Sequence, residues 1–408
     1  MTSSQPPIHW RGYALAATLG VILLTIVAAV TRIWVLTAIP VGFLFGFFLQ
    51  KGALCGAAAL SEVVVFRDRA KVAGIWIAIV VSMIGFASLE AAGWVQLAPK
   101  PMIWVSALVG GLIFGVGTVL AGGCISGCLF KAAEGNVNSM AGLGGIALGI
   151  GMVETGPVHG LHVAMLANVV KAAGGKPVTL ASLMGLPYWL LAVVIAGATG
   201  AVVMWRRQRR QPSRLRPDAV PKPFLTRAWK PWQAGLAIGL LAVPAYLSSA
   251  ATGRNYPLGV THGVLQTYQV LTETNLKHVW RAPAALLAAS APAPQSPLPP
   301  IPPAPPAKVI NWWLVLVVLS LPLGSWASAR MSGAVTLQPR PPEQTVIAFF
   351  GGVLVGIGAA FATGCVVGNI LSGWALMSVG MLIFGVATAL GNWAASYVYL
   401  MGWSPFQS

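Results

Sequence analysis

The chain has 408 residues, 57% of them hydrophobic and only 8% charged. Soluble domains carry about 25% charged residues, so this composition cannot cover a water-facing surface, and a large soluble helical fold is excluded. The net charge of +17 would point to nucleic acid on a soluble chain. Here nine of the 25 Lys and Arg fall between Arg206 and Lys230, opposed only by Asp218, which marks a short basic loop on the cytoplasmic side that also attracts anionic lipid. No nucleic-acid partner is expected.

A helix needs about 20 apolar residues to cross the hydrocarbon core. Uncharged runs of one or two such lengths recur at 12–31, 72–89, 102–130, 178–205, 233–253, 309–329 and 344–403. The first follows Arg11, runs far beyond a signal-peptide core and has no small-residue cleavage site, so it reads as a first span. Arg67, Arg69 and Lys71 are expected on the same side as the basic loop. That loop, 206–232, divides the chain into an N-terminal half, 1–205, and a C-terminal half, 233–408. Within the second half, residues 281–308 hold ten prolines among many alanines and read as an extended linker outside the membrane.

Internal repetition carries the most information. Residues 111–130 laid over 352–371 without a gap match Gly111, Gly115, Gly117, Ala121, Gly123, Cys124 and Gly127 with Gly352, Gly356, Gly358, Ala362, Gly364, Cys365 and Gly368. The shared skeleton, Gly-x3-Gly-x8-Cys, recurs at Gly42, Gly46 and Cys55, and a weaker fourth copy runs from Gly235 and Gly239 to Ser248. Two such arms in each half predict an all-α polytopic membrane protein. Its two pseudo-symmetric, inverted-repeat halves would carry re-entrant or broken Gly-rich helices that meet at mid-membrane.

Glycines four apart let helix backbones approach closely. The glycines beside the cysteines are too dense for a stable helix, since each costs about 1 kcal/mol relative to alanine. A break there persists only where it lines a cavity or binding site, and the amides that open the next half-helix attract an anion. Gly123, Gly127, Gly364 and Gly368 therefore join Cys55, Cys124 and Cys365 as candidate substrate-binding residues. A buried neutral thiol is a weak donor and a soft acceptor, suited to handing on a soft, sulfur-bearing anion, although one buried cysteine alone is usually packing. Cys128 stands four residues after Cys124 but aligns with Asn369, so it is a contact or packing. Glu62, Glu90 and Glu154 are ionisable groups in or beside apolar runs. His159, His162 and His262 read as structural residues of Gly/Pro-containing connections. No C-x-x-C and no cluster of metal ligands is present, so neither a metal nor another cofactor is expected.

The segments Gly42–Gly56, Gly111–Phe130 and Gly351–Leu371, with Pro257-Leu258-Gly259-Val260-Thr261, resemble the YeeE/YedE family of sulfur-compound transporters, whose type member takes up thiosulfate. The resemblance spans most of the chain except the N-terminal extension, the basic loop and the Pro/Ala insert. It implies an hourglass of two halves in which Cys55, Cys124 and Cys365 pass thiosulfate along by S–H hydrogen bonds to sulfur, with Cys128, Ser248 and Thr261 as secondary candidates. It also implies a cytosolic TusA-like sulfurtransferase as companion and a place in the bacterial inner membrane. The motif at Cys124 reads Gly-Gly-Cys-Ile-Ser-Gly-Cys, where many members carry a more polar run with a histidine. Three further readings stand beside this one: a selenium-compound transporter of the same family, a membrane thiol-disulfide oxidoreductase, and a structural or regulatory subunit. The oxidoreductase needs two cysteines in reach of each other. No nucleotide-binding motif is present, so ATP-driven transport by this chain alone is not expected.

Overall fold

The computed structural model describes residues 10–172, 175–209, 223–280, 308–400 and 402. Among these, ten stretches are long and apolar enough to cross a membrane, and the chain is a multi-pass α-helical membrane protein. In chain order the helices are α1 (Trp10–Thr31), α2 (Ala38–Gly52), α3 (Gly56–Val65), α4 (Ala70–Ala91), α5 (Trp104–Leu120), α6 (Ile125–Ala133), α7 (Val137–Glu154), α8 (His159–Leu166), α9 (Leu180–Met184) and α10 (Tyr188–Arg209). After the basic loop come α11 (Pro231–Ala251), α12 (Thr261–Thr272), α13 (Trp312–Ser332), α14 (Pro342–Phe361), α15 (Val366–Ala375, opening as a π-helix) and α16 (Val379–Ala395).

The glycines four apart do the packing, because each lets a backbone lie where a side chain would otherwise stand. A Cβ on Gly42 or Gly46 would strike α13 between Val317 and Ser325, and one on Gly235 or Gly239 would strike α4 at Gly74 to Val81. Likewise Gly111 and Gly115 lie on α16, and Gly352 and Gly356 lie on α7. Every arm helix thus packs in parallel on a helix from the other half of the chain. The arms themselves cross head to tail. Gly110 faces Gly358 and Ala362 while Gly117 faces Gly351 and Val355, so α5 and α14 run antiparallel. In the same way Gly52, at the end of α2, meets Ala234, near the start of α11.

The ends of α2, α5, α13 and α16 therefore share a face with the starts of α4, α7, α11 and α14. This is the face of the basic loop, and Arg67, Arg69, Lys71 and Arg330 lie on it. Lys71 pairs with Glu62 there. The loops after α4, α7, α11 and α12 lie on the opposite face. α1 and α10 are peripheral, with Leu15, Val30, Val193 and Val203 bare, as lipid-facing residues should be.

Several boundaries differ from the sequence reading. The run 178–205 begins as the short helix α9, capped by Thr179 and closed by Gly185, and its span starts at Tyr188. The basic loop is shorter than 206–232, because α10 continues to Arg209 and α11 starts at Pro231, where proline is well placed in a first turn. Its central residues 210–222 lie outside the described residues, as do 281–307 of the Pro/Ala insert. Lys308, assigned to that insert, instead opens β4 (Lys308–Asn311), which pairs in parallel with β3 (Leu276–Val279). A second two-stranded pair joins β1 (Met102–Ile103) to β2 (Val169–Val170). His159, His162 and His262 are in helices and not in connections: the first two in α8, the third in the first turn of α12.

Candidate functional site

Each of the three cysteine arms breaks at one place in one way. Ala53, Gly122 and Thr363, each two residues before its cysteine, adopt the left-handed conformation with φ of 45°, 70° and 51°. The chain then turns out, and Cys55, Cys124 and Cys365 each stand in extended conformation immediately before the helix resumes as α3, α6 or α15. The left-handed turn ends the first helix in the usual way, and it throws the next side chains inward instead of around the helix surface.

All four cysteines are buried and free. Cys55 and Cys124 share a thiol hydrogen bond, beside Gly127. A Cβ on Gly127 would lie 2.5 Å from the Cys55 sulfur and 3.6 Å from the Cys124 sulfur. Cys124 also lies 3.4 Å from the Ser126 hydroxyl and is in electrostatic contact with Cys365. The order in space is therefore Cys365, Cys124, Cys55. Between the arms, Gly56, Ser126, Val366 and Val367 line an apolar cavity of about 30 Å³. That volume holds about one or two waters, not a hydrated anion.

Cations stand at both ends of the row. At the Cys365 end, Lys100 donates to the Thr363 carbonyl at 2.5 Å and to Asn369 Oδ1 at 2.8 Å. At the other end, Lys131 donates to the Gly122 carbonyl at 2.5 Å and is in electrostatic contact with Cys55. Thr363 and Gly122 are equivalent in the repeat, so each left-handed carbonyl is held by an ammonium, one from a distant connection and one from the helix that follows. Beside Lys100, Arg254 donates from one nitrogen to Ser249 Oγ (3.2 Å), Tyr256 O (2.9 Å) and Pro257 O (2.6 Å). Tyr256 in turn donates its hydroxyl to the Gly368 carbonyl at 2.6 Å, and its ring lies 5.3 Å from Lys100 Nζ. Burial, and then the Arg254 charge, hold the Lys100 ammonium down at about 7.

Lys100, Arg254, Tyr256 and Lys131 are not singled out in the sequence, and Asn369 enters there only as the residue that aligns with Cys128. Two carried a visible signal. Lys100 is the only Asp, Glu, Lys or Arg between Glu90 and Lys131, and Arg254 the only one between Lys230 and Glu273.

The structure places the secondary candidates as follows. Cys128 directs its sulfur at the carbonyls of Gly123 (3.7 Å) and Ala121 (3.9 Å). Asn369 donates to Gly364 O (3.1 Å) and Ala362 O (3.0 Å), the equivalent pair. Cys128 therefore caps the end of α5 as Asn369 caps α14. Ser248 does not occupy the place of a fourth cysteine. It lies inside α11, accepting from Trp313 Nε1 at 2.6 Å, because α11 runs on to Ala251 before its own left-handed residue, Gly253 (φ 87°). Two residues further along, the position equivalent to a cysteine is Asn255. Thr261 is buried, and its hydroxyl has no hydrogen-bond partner among the described residues. Gly364 is tightly enclosed by Asn369 and Lys100, whereas a Cβ on Gly368 would meet open space and one on Gly123 ordinary contacts. Among the described residues no His, Cys, Asp and Glu cluster could hold a metal ion.

Residues 51–394 match the profile of a family described as Sulphur transport. The thiosulfate transporter TsuA of Spirochaeta thermophila is 30% identical over 379 residues, covering 90% of this chain and 98% of that protein. The thiosulfate transporter TsuA of Escherichia coli is 28% identical over 368 residues, covering 89% and 94%.

Proposed function

The chain belongs to the YeeE/YedE sulphur transport family, and from that premise we propose that it takes up thiosulfate, or a closely related sulfur anion, across the bacterial inner membrane by relay along Cys365, Cys124 and Cys55. The observation that carries this reading is the buried cysteine row with a cation at each end and only a cavity of about 30 Å³ between the arms. On this reading the basic face is cytoplasmic, so Lys100 and Arg254 draw the anion in from outside and Lys131 receives it inside. The head-to-tail crossing of α2 with α11 and of α5 with α14 supports two inverted repeats about an axis in the membrane plane. The arms then present their cysteines at the middle of the membrane.

The relay needs weak contacts that can be exchanged. A neutral thiol donates to sulfur or oxygen and gives the ligand up again, and the Cys55–Cys124 bond is the one an arriving anion must replace. Nothing in this cycle makes or breaks a covalent bond, so the reading is transport and not enzymatic turnover. A TusA-like sulfurtransferase would collect the product on the basic face.

The test is labelled thiosulfate uptake and thiosulfate-dependent growth of a sulfur-auxotrophic host carrying the protein, repeated with Cys124→Ala and Cys365→Ala. Both substitutions should abolish uptake while leaving the protein in the membrane. Unchanged growth with either would refute the relay. A stable Cys55–Cys124 disulfide under native conditions would favour the oxidoreductase instead. Growth on a selenium compound but not on thiosulfate would move the substrate within the family.

A further inference from the structure

A second cavity, of about 230 Å³, lies on the Lys100 face, lined by Glu154, His162, Thr261, His262 and Thr363 among others. Two of its buried polar atoms, the Thr261 hydroxyl and His162 Nδ1, have no hydrogen-bond partner among the described residues. Orphaned polar atoms are rare in buried sites and call for an explanation. The cavity touches the relay directly, since Thr363 is the left-handed residue of the Cys365 arm.

We infer that this cavity is a proton-binding station linked to the anion at the Cys365 mouth, an inference that rests on the transport reading above. The groups around it are unevenly charged. Glu154 faces Lys308, His159 and Glu273. His162 faces His159 and stacks on Phe361 at 6.0 Å. His262 faces Lys100 and Arg254, the same two cations that guard Cys365.

That shared neighbourhood is the coupling device. Burial, and then the charges of Lys100 and Arg254, hold the His262 imidazole down at about 3, so it is neutral while the mouth carries only cations. An anion seated between Lys100 and Arg254 offsets their field, and the imidazole becomes more basic. The cavity then takes a proton from the outer solution, with Glu154 and His162 as its other bases. By linkage the effect is reciprocal, and a proton in the cavity tightens the hold on the anion. The need is plain for a dianion, which an inside-negative potential of about 100 mV excludes by roughly 2,000-fold at equilibrium.

Titration calorimetry with sodium thiosulfate and the purified protein, in buffers of different ionisation enthalpy at pH 7.5 or so, counts the protons bound with the anion. Lys100 itself takes up protons when an anion arrives, so the count is made in Lys100→Arg, whose charge is fixed. Uptake of about one proton per chain is expected there. It should fall towards zero when His262→Gln or Glu154→Gln is added, with thiosulfate still bound. Binding heat that is independent of buffer in Lys100→Arg, or a proton count unaltered by both cavity substitutions, overturns the inference and leaves the transport reading intact. Failure of the parent protein both to bind and to take up thiosulfate removes that reading and the inference with it.

Discussion

Gly127 and Gly368 are equivalent in the repeat, yet their surroundings predict opposite consequences for the same substitution. In Gly127→Ala the new methyl falls 2.5 Å from the Cys55 sulfur, where ordinary contact lies at 3.4–4 Å. Relief requires a displacement of about 1 Å, and the nearest movable group is the Cys55 thiol itself, which shares a hydrogen bond with Cys124. Overpacking of this size costs about 1–3 kcal/mol, offset by about 1 kcal/mol because alanine is the better helix former. The protein should therefore fold, with a melting temperature near or a few degrees below that of the parent. Its uptake should fall far more, since misplacing a positioned group by about 1 Å costs up to about 100-fold. Gly368→Ala puts its methyl into open space and should retain uptake within about a factor of two, because no group on the path has to move. Initial rates of labelled thiosulfate uptake, normalised to membrane-inserted protein, separate the two. Equal rates for Gly127→Ala and the parent would refute the assignment of the Cys55–Cys124 contact to the path.

Cys128→Asn should be tolerated, because Asn369 makes the same caps in the other half. Cys128→Ala should cost no more than about 1 kcal/mol in thermal stability and leave uptake unchanged. Asn369→Ala leaves two buried carbonyls and one Lys100 contact unmet and should cost about 2–3 kcal/mol by the same measurement. Uptake should fall as external pH rises through about 7, because the lowered Lys100 loses its proton and with it the charge that attracts the anion; Lys100→Arg should retain activity at higher pH in the same assay. Gly122→Ala, which forces a side chain into the left-handed region, should lower stability by about 1–2 kcal/mol, whereas Ala53→Gly relieves that strain and should not.

The sequence shows the arms because their requirement is for glycine, and glycine answers to backbone geometry that few other residues tolerate. It shows the cysteines because they recur at one distance from those glycines. The fourth arm misleads for the same reason. Gly235 and Gly239 keep the packing spacing on α4, but nothing in that spacing fixes where the helix ends, and α11 runs on past Ser248 to Ala251. Gly253 and Asn255, not Ser248, then take the places of the left-handed residue and the cysteine. Cys128 and Asn369 differ in residue type, so their alignment shows no shared role, although each reaches the equivalent pair of carbonyls in its own half. Lys100 meets Thr363 across 263 positions, a pairing that no local pattern can reveal.

On the proposed reading, the likeness of the two halves in backbone and their difference in side chains together explain how the two faces of a repeat can hold an anion with different strength. Both halves end an arm with a left-handed residue whose carbonyl is held by an ammonium. On the basic face that ammonium is Lys131, half-buried but with its hydrogen bond open to solvent, and reached from the helix that follows Cys124. On the other face it is Lys100, half-buried and backed by Arg254 and Tyr256, where the fourth arm has Asn255 at the cysteine position and supplies a guanidinium from the residue before it. An anion arriving there meets two partly desolvated cations, whose field is far less screened than that of a surface lysine. It leaves past Lys131, which water screens well. Capture is strong on one side and release easy on the other, and this asymmetry comes from the one arm that lacks a cysteine. Exchanging the two ends, by Arg254→Leu together with a buried cation beside Cys55, should slow initial uptake and speed the initial loss of label from right-side-out vesicles loaded with labelled thiosulfate; unchanged initial rates in both assays would refute the role given to the two ends.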